Sequence, residues 1–130
     1  AGHGNILIVD DEKPIVDSTC RLLARLGYSV TGETDSMKAI GNVKNNPELF
    51  DLVLTDMTMP ALNGLDLAKQ IKKINPDIPI VLCTGFSHSL TKEKCKSVGI
   101  IDMVMKPMIA SELALTVEKA ISGKGKQSLL

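Results

Sequence analysis

Five short apolar runs alternate with five segments whose apolar residues recur at helical spacing, and no other feature constrains the fold as much. The runs span residues 6–9, 28–31, 52–55, 79–83 and 100–105. Short runs that are mostly apolar or β-branched are typical of strands buried on both faces of a sheet. Strands separated by helices pair in parallel through right-handed crossovers. The sequence therefore predicts an α/β fold in which helices cover both faces of a five-stranded parallel sheet.

Local signals predict where several helices begin. Asp35 or Ser36 is expected to cap the second helix, and Ser111 is expected to cap the last one. The inner face of the second helix is expected to carry Met37, Ile40 and Val43. A fourth helix around residues 89–97 is poor in apolar residues and rich in lysine. We expect that helix to be among the less stable elements, because it offers few packing contacts.

Composition excludes several classes of function. The chain of 130 residues has the size of one domain, and its 15 basic and 15 acidic residues create no broad field for nucleic acid or anionic membrane. Its three aromatic residues offer no base-stacking surface. Three cysteines without CxxC spacing indicate neither a disulfide framework nor a zinc site. No apolar run approaches the ~20 residues of a membrane span, so we expect a cytoplasmic domain that binds neither nucleic acid nor membrane directly.

Polar side chains stand where four of the predicted strands end. Asp10 and Asp11 follow the first strand, Asp56 the third, Thr84 the fourth and Lys106 the fifth. Because the carboxyl ends of parallel strands share one edge of the sheet, we expect these side chains to converge. Clustered carboxylates favour a hard divalent cation such as Mg²⁺. Taken singly, each residue also has a simpler interpretation as a helix-capping acid, a turn hydroxyl or a solvated charge.

The same cluster indicates phosphoryl transfer. A lysine and a hydroxyl beside Mg²⁺ suit the oxygens of a phosphoryl group. Neither a GxxxxGK[ST] loop nor a GxGxxG motif occurs in the chain. The remaining candidate nucleophile is a carboxylate, and aspartyl phosphates are established covalent intermediates. Asp56 is the first candidate, since it directly follows a strand that is expected to be buried on both faces.

These motifs resemble those of the receiver domains of two-component response regulators. The resemblance covers residues 5–122 and rests on four motifs: Ile6-Leu7-Ile8-Val9-Asp10-Asp11-Glu12, Asp56-Met57-Thr58-Met59-Pro60 with Asn63-Gly64, Thr84-Gly85, and Lys106-Pro107. It implies a flavodoxin-like (βα)5 doubly wound fold with strand order 2-1-3-4-5. Residues 1–4 are then expected to be a disordered leader, and residues 123–130 a C-terminal tail.

The resemblance also implies a metal site and a partner. Asp56 would be the phosphoacceptor, taking a phosphoryl group from a phosphohistidine of a histidine kinase or a phosphotransfer domain. Mg²⁺ would be held by Asp10, Asp11, Asp56 and the backbone carbonyl of Thr58. A domain of this kind catalyses only its own phosphorylation and dephosphorylation, and so is not an enzyme with an external substrate.

The resemblance further assigns residues that respond to the phosphoryl group. Thr84 and Lys106 would bind its oxygens, and the peptide bond between Lys106 and Pro107 would be cis. Because residues 89–97 are poor in apolar residues and Thr84 and Lys106 border them, we expect the face formed by the fourth helix, fifth strand and fifth helix to transmit the change. The same face would be the surface of any homodimer.

Three residues depart from the usual pattern or set the lifetime of the signal. Met103 stands where family members usually carry Tyr or Phe, so an aromatic switch is not expected in its conventional form. The resemblance implies that the positions best placed to hold the water that hydrolyses the acyl phosphate lie two residues after the phosphoacceptor and two after the threonine, and here these are Thr58 and Phe86. Because neither residue is suited to that task, the sequence predicts slow self-dephosphorylation.

Two other classes of protein were weighed against this interpretation. A haloacid-dehalogenase-type phosphatase would carry its nucleophile on the first strand, with an acidic residue two positions later, whereas Thr58 stands two positions after Asp56. A receiver-like interaction module that takes no phosphate would not need the five site residues intact. The chain starts with Ala rather than Met, which favours the receiver of a hybrid sensor kinase over a stand-alone regulator.

Overall fold

The computed structural model describes residues 3–85 and 92–123 and contains one parallel sheet with helices on both faces. The strands are β1 (Asn5–Val9), β2 (Ser29–Glu33), β3 (Leu52–Asp56), β4 (Ile80–Thr84) and β5 (Ile100–Met105). The helices are α1 (Lys13–Arg25), α2 (Ser36–Asn45), α3 (Gly64–Ile74), α4 (Lys92–Ser97) and α5 (Ala110–Ser122). The strands lie in the order β2-β1-β3-β4-β5, which confirms the predicted fold.

The three inner strands of the sheet, β1, β3 and β4, are the most deeply buried. Every residue of β3 and β4 is buried, and so is β1 apart from Asn5. The register pairs Val9 with Thr55 and Asp56 with Cys83. The carboxyl ends of β1, β3 and β4 are therefore level with one another at one edge.

Two apolar cores hold the helices to the sheet. The core on one face joins α2, α3 and α4 to the strands, through residues such as Ile40, Ile71 and Cys95. The core on the other face joins α1 and α5, through Leu23 and Val117. Successive residues of a strand point to opposite faces, so each central strand supplies side chains to both cores.

Two local predictions were wrong in detail. Asp35 does cap α2, since its carboxylate accepts from the backbone N–H of Met37 at 2.8 Å, but the Met37 side chain is 55 % exposed. The buried face of α2 instead begins with Ser36, whose hydroxyl is bonded across to another loop. Ser111 does not cap α5, because that helix begins at Ala110 with Ile109 at the N-cap position and no side-chain cap.

The fourth helix is short. Of the residues of α4, Cys95 is the buried one. The predicted start at Ser89 lies outside the described residues. In the part of the chain that the structure describes, no helix combines the length and apolar character that crossing a membrane requires.

Candidate functional site

Three carboxylates from two adjacent strands meet at the carboxyl edge of the sheet. Asp10 and Asp11 follow β1, and Asp56 is the last residue of β3. One oxygen from each of the three carboxylates lies within 4.8 Å of the other two. Asp10 and Asp56 are only 3 % and 7 % exposed, whereas Asp11 is open to solvent. The cluster is therefore buried on one side and accessible on the other.

Lys106 joins this cluster from the other half of the sheet. Its ammonium group lies 3.0 Å from Oδ2 of Asp10 and 2.9 Å from Oδ1 of Asp56. Burial alone would lower the pKa of Lys106, but the hydrogen bonds to the two carboxylates outweigh it, and the pKa is raised. Lys106 is therefore a fixed positive charge in the site.

One ammonium group does not balance three carboxylates. Burial raises the pKa of Asp56, with the nearby charge of Asp10 acting in the same direction, while the hydrogen bond from Lys106 opposes the shift. A divalent cation would remove this excess of negative charge. Carboxylate oxygens with one side open to water are the donor set that Mg²⁺ prefers, so the residues fit that ion.

Backbone contacts fix the carboxylates in place. The backbone N–H of Asp10 donates to the carbonyl oxygen of Glu33 on β2 at 3.2 Å. Oδ1 of Asp10 accepts from the backbone N–H of Glu12 at 2.9 Å. That bond leaves Oδ2 to face Lys106, so Asp10 has a defined orientation before any ligand binds.

Thr84 and Lys106 are linked through the backbone. The backbone N–H of Lys106 donates to the carbonyl oxygen of Thr84 at 2.9 Å. The Thr84 side chain is buried at the end of β4, and its hydroxyl donates to the carbonyl oxygen of Gly85 at 3.4 Å. The peptide bond between Lys106 and Pro107 is cis, as the resemblance implies. The structure thus places Thr84 beside the lysine but with its hydroxyl bonded locally.

The loop between β3 and α3 carries Thr58, which has an exposed side chain. Ser36 holds this loop, because its buried hydroxyl donates to the carbonyl oxygen of Pro60 at 3.2 Å and accepts from the backbone N–H of Leu62 at 3.3 Å. Sequence reasoning identified Ser36 only as a candidate cap. The separation of 24 residues between Ser36 and Pro60 gave no local signal of this contact.

Gly64 is a second residue whose role sequence reasoning missed. A Cβ atom at this position would lie 2.6 Å from the carbonyl oxygen of Asp56 and 2.5 Å from Cδ1 of Leu82. Any larger residue would push the start of α3 away from the end of β3. Asn63, the residue before Gly64, caps α3 by accepting from the backbone N–H of Asp66 at 2.9 Å.

Met103 and Phe86 are the two remaining predicted residues. Met103 lies on β5, packs against the core under α2, α3 and α4, and has its sulfur 3.5 Å from Sγ of Cys95 on α4. Among the described residues, no hydrogen bond joins Met103 to the carboxylate cluster. Phe86 lies outside the described residues.

Comparisons with known proteins agree with this geometry. Residues 6–118 match the family model described as the response regulator receiver domain. The chain is 35 % identical over 121 residues to the transcriptional regulatory protein ZraR of Salmonella typhimurium, covering 93 % of this chain and 27 % of ZraR. It is 32 % identical over 118 residues to the response regulator SaeR of Staphylococcus aureus, covering 91 % of this chain and 50 % of SaeR. The chain thus spans half or less of these relatives.

Solved structures give the same result. A response regulator receiver domain protein from Clostridium thermocellum superimposes with a TM-score of 0.86 at 30 % identity, covering 91 % of this chain and 94 % of that one. A CheY-like receiver domain protein from Methanospirillum hungatei gives a TM-score of 0.85 at 26 % identity, covering 93 % and 95 %.

The chain belongs to the receiver domain family of two-component response regulators. Receiver domains are phosphoacceptor modules that interact with histidine kinases and are not conventional enzymes. None of the proteins just described favours a haloacid-dehalogenase-type phosphatase or a module that takes no phosphate.

Proposed function

We propose that Asp56 is the phosphoacceptor of this receiver domain. In the transfer, an Asp56 carboxylate oxygen attacks the phosphorus of a phosphohistidine. An O–P bond forms while the N–P bond breaks, and the histidine nitrogen keeps the electron pair. The observation that carries this assignment is the ion pair between Lys106 and Asp56 inside the carboxylate cluster.

We further propose that Asp10, Asp11, Asp56 and the backbone carbonyl of Thr58 hold Mg²⁺. The excess negative charge of the cluster and its exposed side at Asp11 support this donor set. When bound, Mg²⁺ neutralises phosphoryl oxygens and lowers their repulsion toward the attacking carboxylate. Asp10 orients the site through its fixed carboxylate, since one of its oxygens is already bonded to the backbone.

Lys106 and Thr84 are proposed to bind the phosphoryl oxygens once the group is on Asp56. Lys106 already touches the carboxylate that would carry the group. The Thr84 hydroxyl makes a long bond of 3.4 Å to Gly85, which it can exchange for a charged acceptor at little cost. Thr84 would then move toward Asp56, and β4 would carry that movement.

Asp56→Asn tests the assignment directly. The variant should take up no phosphoryl group from acetyl phosphate with Mg²⁺, whereas Asp66→Asn, on the first turn of α3, should label like the parent. Intact-mass measurement reports the added group. Labelling that survives in Asp56→Asn, or in the parent with excess chelator, would contradict the proposal.

Metal binding can be measured apart from labelling. Mg²⁺ should raise the thermal unfolding midpoint of the parent, because a ligand that binds only the folded state stabilises it. The rise should be much smaller in Asp11→Asn, while Asp17→Asn on α1 should behave like the parent. An equal rise in all three proteins would show that the cluster is not the metal site.

We propose that the phosphorylated state decays slowly by itself. Thr58 offers one short hydroxyl and Phe86 offers no hydrogen-bonding group to a nucleophilic water. The double variant Thr58→Asn/Phe86→Glu should therefore lose its phosphoryl group faster than the parent. Equal decay of the two proteins would show that water positioning at these residues does not set the lifetime.

The phosphoryl donor, the response surface and the cellular location are also proposals. A phosphohistidine of a histidine kinase or a phosphotransfer domain is the expected donor, and residues 5–122 form the unit that receives the group. The face formed by α4, β5 and α5 is the proposed surface for the response and for a homodimer. Three free cysteines among the described residues agree with a cytoplasmic location.

A further inference from the structure

A basic cleft lies at the opposite edge of the sheet from the carboxylate cluster. It is a shallow depression, open to solvent, between the carboxyl ends of α3 and α4, with a volume of about 530 Å³. Four lysines line it: Lys69, Lys72, Lys73 and Lys96. The whole chain has no net charge, so this cleft is a local concentration of positive charge.

The charges of this cleft are poorly balanced. In the described ranges, 3–85 and 92–123, no ion pair involves Lys69, Lys73 or Lys96, and all three side chains are exposed. Asp77 is the acidic residue whose charge acts on Lys72, and burial nevertheless lowers the pKa of Lys72. Among the described residues, no acidic residue lines the cleft, so its four lysines are the charged groups of its wall.

Helix electrostatics explains only part of this arrangement. Cations in the last turn of a helix interact favourably with the helix dipole, which accounts for Lys72 and Lys73 on α3 and Lys96 on α4. Lys69 lies one turn earlier and gains little from the dipole. It also repels Lys72 and Lys73, which stand three and four residues later on the same helix surface.

The shape of the cleft is set by fixed contacts. The Lys72 ammonium group donates to the carbonyl oxygens of Pro76 at 3.0 Å and Ile78 at 2.7 Å. The Lys72 stem packs against Gly99, where a Cβ atom would lie 2.7 Å from Cε of the lysine. Gly99 has a φ of 88°, a conformation that favours glycine. The floor between α3 and α4 is thus held by backbone atoms, and the three exposed lysines surround it.

We propose that this cleft binds a small polyphosphorylated anion through Lys69, Lys73 and Lys96. The volume of the cleft falls in the range of small-molecule sites. Several cations around one concave surface match a ligand that carries several linked phosphates. Within residues 3–85 and 92–123, no aromatic residue lines the cleft, so we expect recognition of the phosphate chain rather than of a base. None of these residues belongs to the carboxylate cluster, and the proposal does not rest on the phosphoacceptor function.

Titration of the ¹⁵N-labelled chain with inorganic tripolyphosphate, without Mg²⁺ and at fixed ionic strength, tests the proposal. Amide shifts should change in residues 69–73 and 96–99. The triple variant Lys69→Gln/Lys73→Gln/Lys96→Gln should bind roughly tenfold more weakly. The matched control Lys38→Gln/Lys44→Gln/Lys119→Gln removes the same charge from exposed lysines on α2 and α5 and should bind like the parent.

Four results would overturn the proposal. The first is no shift change at millimolar tripolyphosphate, and the second is an equal loss of affinity in both triple variants. The third is a set of shift changes centred on Asp10, Asp56 and Lys106. The fourth is tighter binding of a single-stranded oligonucleotide than of tripolyphosphate, which would indicate a nucleic-acid surface. A parallel titration with ATP tests whether the phosphate chain alone is recognised: equal affinity of ATP and tripolyphosphate supports this, and tighter binding of ATP would contradict it.

Discussion

Helices α3 and α4 cover the same face of the sheet but are anchored to it very differently. Helix α3 has 11 residues, an Asn63 cap and five buried positions, and Gly64 lets it begin against the end of β3. Helix α4 has six residues and buries Cys95. Free energy from apolar burial is roughly proportional to buried area, so α3 is the more firmly held of the two.

The difference divides the candidate site into two halves. Asp56 stands at the end of β3, immediately before the loop that leads into α3 and is held by Ser36. Thr84 and Lys106 stand at the ends of the strands that flank α4 in the chain. A reaction needs its nucleophile held still, while a signal needs an element that can move at low cost. The anchored half suits the chemistry, and the half beside α4 suits the response.

Truncating one buried side chain in each helix should give the largest contrast. Ile71→Ala on α3 should lower the free energy of unfolding by about 3 kcal/mol, since it leaves a cavity in a core where Ile71 is fully buried. Cys95→Ala on α4 removes a single sulfur atom and its contact with Met103, and should cost about 1 kcal/mol. Urea unfolding measures both values. A loss in Cys95→Ala as large as that in Ile71→Ala would show that α4 is no less anchored than α3.

A glycine substitution probes the junction between α3 and the phosphoacceptor strand. Gly64→Ala should destabilise the domain by about 1–3 kcal/mol, because its Cβ atom would meet Asp56 and Leu82. Labelling by acetyl phosphate should also slow, since the carboxylate would shift. Gly41→Ala is the matched control on α2: no atom lies within 4 Å of its added Cβ, and it should stabilise by about 0.5–1 kcal/mol. Destabilisation by both variants would point to the helices rather than to this junction.

The sheet could be predicted from sequence because each strand signal was local. Residues 100–105 were predicted as a strand and form β5 with the same ends. The Asp56 strand differs from its prediction by a single residue. The parallel topology then placed Asp10, Asp56 and Lys106 at one edge, and the measured distances agree with that convergence.

What sequence reasoning missed depends on contacts between distant segments. Met37 was predicted to be buried because it is apolar, yet Ser36 takes the inward position through its bonds to the loop after β3. Ser111 was predicted to cap α5 because serine caps many helices, yet the N-cap position is Ile109, two residues earlier. The close approach at Gly64 also required the packed structure, since glycine before a helix has many causes.

Amide hydrogen exchange with a phosphate mimic compares how strongly α3 and α4 respond when the site is occupied. Beryllofluoride with Mg²⁺ should change exchange rates by about tenfold in residues 92–105, and by much less in residues 64–74, because the weakly anchored element responds first. The same reagents added to Asp56→Asn should change neither region. Equal changes in both helices, or changes confined to residues 35–46, would contradict a response through α4, β5 and α5.

The smallest expected change in the free energy of unfolding comes from one backbone position beside each of the two helices. Ala61, in the loop before α3, has a φ of 68°, which is unfavourable for a residue with a Cβ atom. Ala61→Gly should therefore stabilise the domain by about 0.5–1 kcal/mol.

Gly99, in the turn between α4 and β5, also has a positive φ, and an added Cβ would crowd Lys72. Gly99→Ala should thus destabilise by about 1 kcal/mol or more. Changes of opposite sign in the free energy of unfolding, measured with urea, would show that the region of α3 tolerates a strained residue while the region of α4 relies on glycine. If Ala61→Gly is destabilising, the flexibility it adds to the unfolded chain exceeds any strain relieved at that residue, and the prediction is wrong.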